Sequence, residues 1–239
     1  MSERPSIGLI LPVGGPAPPP EAARMYPDID FFAKGLGLKT MNEQGYDSVV
    51  DRIGDVAAEL ATRKPDALTL IGTSLSFYKG AAFNEEIVAN IRTSTGLPCT
   101  SMSTAVIEGL RAVGGKRLAV ATAYIDDVNQ RLAWFLGECG FEVASMMGLS
   151  IEISGTAGAV TDAELVALGR RTAEAATGAD ALLVSCGGLR TLDVTKPLEE
   201  ATGLPVVSSM PAALWAAARL VGHDGRSPGF GRLLDMRNA

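Results

Sequence analysis

Few residues in this 239-residue chain could do acid–base or nucleophilic chemistry: it has three cysteines, one histidine and no His, Cys and carboxylate cluster at metal-ligand spacing. Cys186 stands apart. It follows the apolar run Ala181 to Val184 and is itself followed by Gly187 and Gly188. A run of that length between Asp180 and a Gly-Gly pair reads as a central parallel strand, buried on both faces. Ligands of open α/β sheets collect at the carboxyl ends of such strands. Glycines there let backbone N–H groups come close to a ligand and hold an anion beside the thiol. Cys186 can donate or accept a proton, and an unperturbed cysteine pKa of about 8.5 keeps it mostly protonated at neutral pH, able to act as an acid. Inert burial is the competing reading.

The other candidates are hydroxyls. Thr73, Ser74 and Ser76 follow the apolar run Ala67 to Gly72 and sit where a ligand is expected, although turn and cap chemistry also favours Ser and Thr there. Tyr124 ends another apolar run and could present its hydroxyl to an anion, or simply pack. His223 lies in a Gly-rich tail and reads as a surface residue, a poor base for a Cys-His hydrolase. Cys99 and Cys139 read as structural, and Asp126 and Asp127 as capping carboxylates of a helix rather than metal ligands.

Part of the chain repeats. Asp66 to Ser76 (DALTLIGTSLS) slides onto the cysteine stretch, placing Asp66 on Asp180, Leu68 on Leu182 and Gly72 on Cys186. TGLP at 95–98 recurs at 202–205, each time followed by a short strand ending in serines and then a helix. A period of about 110 residues is far longer than that of solenoids and implies two related α/β halves. Two such halves facing each other leave one cleft, with Cys186 on one wall and Gly72 opposite.

Composition narrows the function. A net charge of −6 without a basic run argues against nucleic acid or an anionic membrane surface. No apolar run approaches 18 residues, and the opening MSERPSIGLILPVGG reads as a first strand rather than a signal peptide. Three cysteines without metal spacing suit free thiols in a reducing compartment. The expectation is a cytoplasmic monomer that works on a small molecule.

Taken in order, strands are expected at 7–13, 31–38, 67–72, 98–102, 117–123, 141–149, 181–184 and 206–209. Helices are expected at 46–64, 81–95, from Ser103 or Thr104 to about Gly114, at 126–138, from a Thr161–Glu164 capping box to 176, and at 193–202 and 212–221. Residues 14–20 (GGPAPPP) and 151–159 read as loops. GLGL at 35–38 is a fragment of a dinucleotide fingerprint without its third glycine. Strands alternating with helices predict α/β architecture with parallel sheets. The halves are 1–115 and 116–210, with 211–239 packing back on the first.

GTSLSFYKGAAFN, TGLPCTSMSTAV, ATAYIDDVN, LLVSCGGLRTLD and GLPVVSS together resemble the arylmalonate decarboxylase family, within the aspartate/glutamate racemase superfamily of two pseudo-symmetric α/β domains. The likeness spans nearly the whole chain. Racemases and maleate isomerases of the superfamily use two cysteines that face each other across the substrate. Here Gly72 holds the first of those positions and Cys186 the second, which is the decarboxylase pattern. The resemblance implies Cys186 as the catalytic acid. It also implies that Thr73, Ser74, Tyr124 and the Gly187 amide bind one carboxylate of a disubstituted malonate. The other carboxylate would meet an apolar pocket of Pro12, Val13, Leu38, Met41 and Leu75. No cofactor and no metal are implied, and the partner is a small carboxylate. Two alternatives stand beside this. A racemase or cis-trans isomerase needs a second acid/base, which Gly72 does not supply, and a non-catalytic carboxylate-binding protein has no use for Cys186.

Overall fold

The computed structural model describes residues 4–15 and 17–236. Met1 to Glu3 of the expected start, Pro16 of the proline-rich loop and Arg237 to Ala239 of the tail lie outside the described residues. The first half runs β1 (Ser6–Leu11), α1 (Pro20–Met25), β2 (Asp30–Gly35), α2 (Glu43–Val50), α3 (Ile53–Ala61), β3 (Ala67–Leu70), α4 (Thr73–Phe77), α5 (Ala81–Thr95), β4 (Cys99–Ser101) and α6 (Met102–Ala112). The second runs β5 (Arg117–Thr122), α7 (Asp126–Glu138), β6 (Glu142–Gly148), α8 (Asp162–Ala175), β7 (Ala181–Ser185), α9 (Thr195–Thr202), β8 (Val206–Ser208), α10 (Ser209–Leu220) and the short α11 (Arg232–Asp235).

Each half folds into a four-stranded parallel sheet flanked by helices. The strand orders are β2-β1-β3-β4 and β6-β5-β7-β8, so β3 and β7 occupy the same interior position. Every residue of both strands is buried, as expected for strands covered on both faces. The recurrent TGLP has a local cause. Gly96 and Gly203 take φ of +72° and +74° and close the ends of α5 and α9, donating their amides to the carbonyls of Arg92 and Glu199. Glycine adopts this left-handed cap without a Cβ penalty. The proline that follows then starts the next strand.

Several expectations are corrected. The helix expected over 46–64 is two helices, because the chain tightens at Asp51–Arg52, where Arg52 donates to the Leu36 carbonyl at 2.7 Å. Val49, Ile53, Val56, Ala57 and Leu60 remain buried across that turn, so the apolar pattern hides it. Ser101, not Ser103 or Thr104, caps α6 by accepting from the Thr104 amide, since β4 runs directly into the helix. The strands expected to reach Val13 and Leu38 stop at Leu11 and Gly35, although Leu36 and Leu38 still donate to the Leu11 and Pro12 carbonyls. α1, α4 and α11 were not expected, and α10 starts at Ser209 rather than Ala212. Ile125 is the N-cap of α7, with Asp126 and Asp127 in its first turn as charges rather than caps. His223 lies at the surface, as expected, but is not free there. It is partly buried, its Nδ1 accepts from the Gly225 amide at 3.0 Å, and its ring meets Tyr26 edge-on.

The halves are tied at several points. α10 packs against α6, β3 and β4 of the first half. Within 151–159, expected as loop, residues 152–154 run antiparallel to 39–41. Thr40 bridges Ile153, Met41 donates to the Glu152 carbonyl at 2.7 Å, and Ser154 donates to the Lys39 carbonyl at 2.9 Å. The Arg24 guanidinium in α1 grips Asp193 with two bonds of 2.7 Å. The Thr161–Glu164 capping box starts α8. Among the described residues, no helix is long and apolar enough to cross a membrane.

Candidate active site

β3 and β7 each end in a turn that enters the same cavity, about 270 Å³ in volume. From β3 come Gly72, Thr73 and Ser74, and from β7 come Cys186, Gly187 and Gly188. Pro12, Val13, Leu38, Met41 and Leu75 supply apolar wall. The strap at 154–158 adds Ser154, Gly155, Ala157 and Gly158.

Cys186 is 4% exposed. Burial pushes its thiol up to about 11, although the Gly188 and Leu189 amides and the Tyr124 hydroxyl pull the other way. The Gly188 amide donates to Sγ at 3.4 Å. At neutral pH the sulfur therefore carries its proton. Cys186 also takes φ of +156°, a backbone setting that side-chain-bearing residues rarely adopt and that clusters at functional sites. Gly72, at the matching place after β3, has φ of 179°, which is ordinary extended backbone. A Cβ there would meet Leu75 and Pro12 at 3.4 and 3.7 Å, so the position has room for a side chain.

Around these two positions lies a set of hydrogen-bonding groups. Ser74 is buried and lines the cavity. Thr73 Oγ1 lies 2.9 Å from both Ser209 Oγ and Met102 Sδ, with its single proton available to either. Among the described residues, the Gly187 amide meets no backbone acceptor. Tyr124 is placed differently from the rest. It does not line the cavity but stands behind it, its hydroxyl 3.3 Å from Ser185 Oγ and its ring against Phe77. Burial, then the neighbouring Cys186, hold its phenol well above the usual range, so it stays a neutral donor.

A family model described as arylmalonate decarboxylase matches residues 7–234. The chain belongs to the arylmalonate decarboxylase family. A relative of that name from Bordetella bronchiseptica is 48% identical over 232 residues, 97% of each chain. A liganded crystal structure of an arylmalonate decarboxylase double mutant superposes with a TM-score of 0.95 at 47% identity, covering 97% of this chain and 99% of that one. In that mutant a glycine became cysteine and a cysteine became serine, as far apart in sequence as Gly72 and Cys186 are here. A maleate isomerase from Pseudomonas putida S16 shares the fold, with a TM-score of 0.91 at 21% identity over 98% of this chain and 99% of the isomerase.

Against this family background, two polar groups escape the sequence reading. Tyr46 was expected only as the start of a helix, yet it is fully buried, with a hydroxyl that closes no hydrogen bond within the described residues. Burial raises its phenol, offset in part by the Ser74 hydroxyl, and Cys186 adds to the rise. Ser209 joins the two turns, because its Oγ also accepts from the Cys186 amide at 3.2 Å. The repeat carried a signal for it, since the serines after both TGLP strings fall at β4 and β8 ends. Nothing in the sequence marked Tyr46.

Proposed function

We propose that this chain decarboxylates disubstituted arylmalonates to chiral 2-arylalkanoic acids and CO₂, with Cys186 protonating one face of the intermediate. The observation that carries this reading is a buried, protonated thiol and a cluster of hydrogen-bond donors around one cavity whose remaining wall is largely apolar. One carboxylate is held by Thr73, Ser74 and the Gly187 amide, with Tyr46 and Tyr124 behind them. The other is pressed against Pro12, Val13, Leu38, Met41 and Leu75. An ionised carboxylate loses hydration there and neutral CO₂ does not suffer, so the environment favours its departure.

The bond to the departing carboxylate breaks, and its electron pair passes to the α-carbon and the retained carboxylate as an enediolate. Donors already in place stabilise that charge, each by about 3 kcal/mol by analogy with oxyanion holes. The Cys186 S–H proton then goes to the α-carbon. The resulting thiolate faces the Gly188 and Leu189 amides until solvent returns a proton. Aryl group and enediolate spread the charge themselves, so the scheme requires no cofactor. A cytoplasmic monomer suits it, with the site completed by the two halves of one chain, 1–115 and 116–210.

Incubation with phenylmalonate and a methyl-substituted arylmalonate tests the reading, with CO₂ release as the expected result. Cys186→Ala should stay folded, since thiol to methyl is a small change, and should lose turnover. A variant that still works at the wild-type rate removes the thiol from the mechanism.

A further inference from the structure

One charged group on the cavity has no part in the chemistry above. Glu21 of α1 lines the cavity and is only 7% exposed. Among the described residues, no hydrogen bond or ion pair reaches its carboxyl group. Arg24, one turn on, senses its charge but commits both guanidinium nitrogens to Asp193. Its oxygens open onto the cavity rather than into the core, so a carboxylate with no protein partner is presented there to a ligand that carries a hydrogen-bond donor.

Its place in the fold says which part of the ligand it meets. The Arg24–Asp193 pair is about half exposed and so marks the protein surface beside the cavity. Glu21 precedes Arg24 by three residues, and Arg190, exposed and also on the cavity, precedes Asp193 by three. Arg190, exposed on the cavity, marks its mouth, and Glu21 sits one turn before the half-exposed Arg24. Arg190 offsets the repulsion that Glu21 alone would exert on an incoming dianion. With the two malonate carboxylates held deep, the aryl substituent extends toward the mouth. The geometry points to Glu21 as a specificity residue that accepts a hydrogen bond from the far end of that substituent. The substrate class is then malonates whose aryl group carries a hydroxyl or amino donor, an assignment that rests on the decarboxylase reading.

The test compares 2-methyl-2-(4-hydroxyphenyl)malonate with its 4-fluorophenyl analogue, similar in size but without the donor. For the wild type, kcat/KM should favour the hydroxyl compound by on the order of tenfold, the range of a hydrogen bond to a charged group. Glu21→Leu should bring the ratio to about one, and the isosteric Glu21→Gln should reduce it if the leucine variant does not fold. In parallel, calorimetry reads binding of 4-hydroxyphenylacetate against 4-fluorophenylacetate, with no turnover involved. CO₂ release with a wild-type ratio near one, or a ratio that neither variant moves, overturns the assignment while the decarboxylase reading stands. If no malonate releases CO₂ but the hydroxylated acid binds better and the variants abolish that preference, the decarboxylase reading fails and Glu21 keeps its role.

Discussion

Cys186 is suited to donate a proton and poorly suited to act as a nucleophile, because burial raises its pKa to about 11. An acid loses function as it deprotonates, so kcat/KM should stay level from neutral pH past about 9 and fall only as pH rises toward 11. An unperturbed thiol would give that fall near about 8.5. A pH–rate profile decides between the two, and a limb at the lower value would mean that the buried environment described here is not the working one. Tyr46 provides a second test at this scale. Tyr46→Phe should lower kcat by on the order of 10²-fold with a smaller change in KM, as for loss of a donor that meets more charge in the transition state. An equal rise in KM with kcat intact would reduce it to ground-state binding. Cys186, Gly72, Thr73 and Ser74 were legible in the sequence because each follows an apolar strand. Tyr46, behind the cavity, and Glu21, on its wall, were not, since both come from helices whose own patterns mark only a buried face.

The strands and turns make a prediction of their own. β3 and β7 hold the same place in matching sheets, and the turns after them meet in one cavity. Moving the thiol from one turn to the other should therefore deliver the proton to the opposite face. The Gly72→Cys, Cys186→Ser double variant should release CO₂ at a reduced rate, its new acid lacking the Gly188 and Leu189 amides. Chiral chromatography of the acid formed from a methyl-substituted arylmalonate should show the other enantiomer in excess. The wild-type enantiomer in excess would sink the matching of the two turns. Alternating strands and helices were readable from periodicity, and α5 and α7 fall where that periodicity puts them. The break between α2 and α3 was not readable, because a tertiary contact from Arg52 to the Leu36 carbonyl sets it. The pairing of 39–41 with 152–154 joins segments more than 100 residues apart, beyond the reach of any local pattern.

Across the whole molecule, the site depends on how the halves are held together. Arg24 and Asp193 tie α1 to the segment that leads on from Cys186. The pair is half exposed, and ion pairs of that kind add little to stability. Asp193→Asn should thus leave Tm within a few degrees of wild type while lowering kcat/KM several-fold, by freeing the turn that carries the Gly187 and Gly188 amides. Unchanged kinetics would leave the pair a surface ornament. The matching strand order has a wider consequence. A cavity built from two equivalent turns would treat the two faces of a planar intermediate alike, and could not prefer one mirror image. Any preference must come from places where the halves differ, and the foremost is a sulfur present after β7 and absent after β3. A site can thus be handed although the two sheets that frame it match strand for strand.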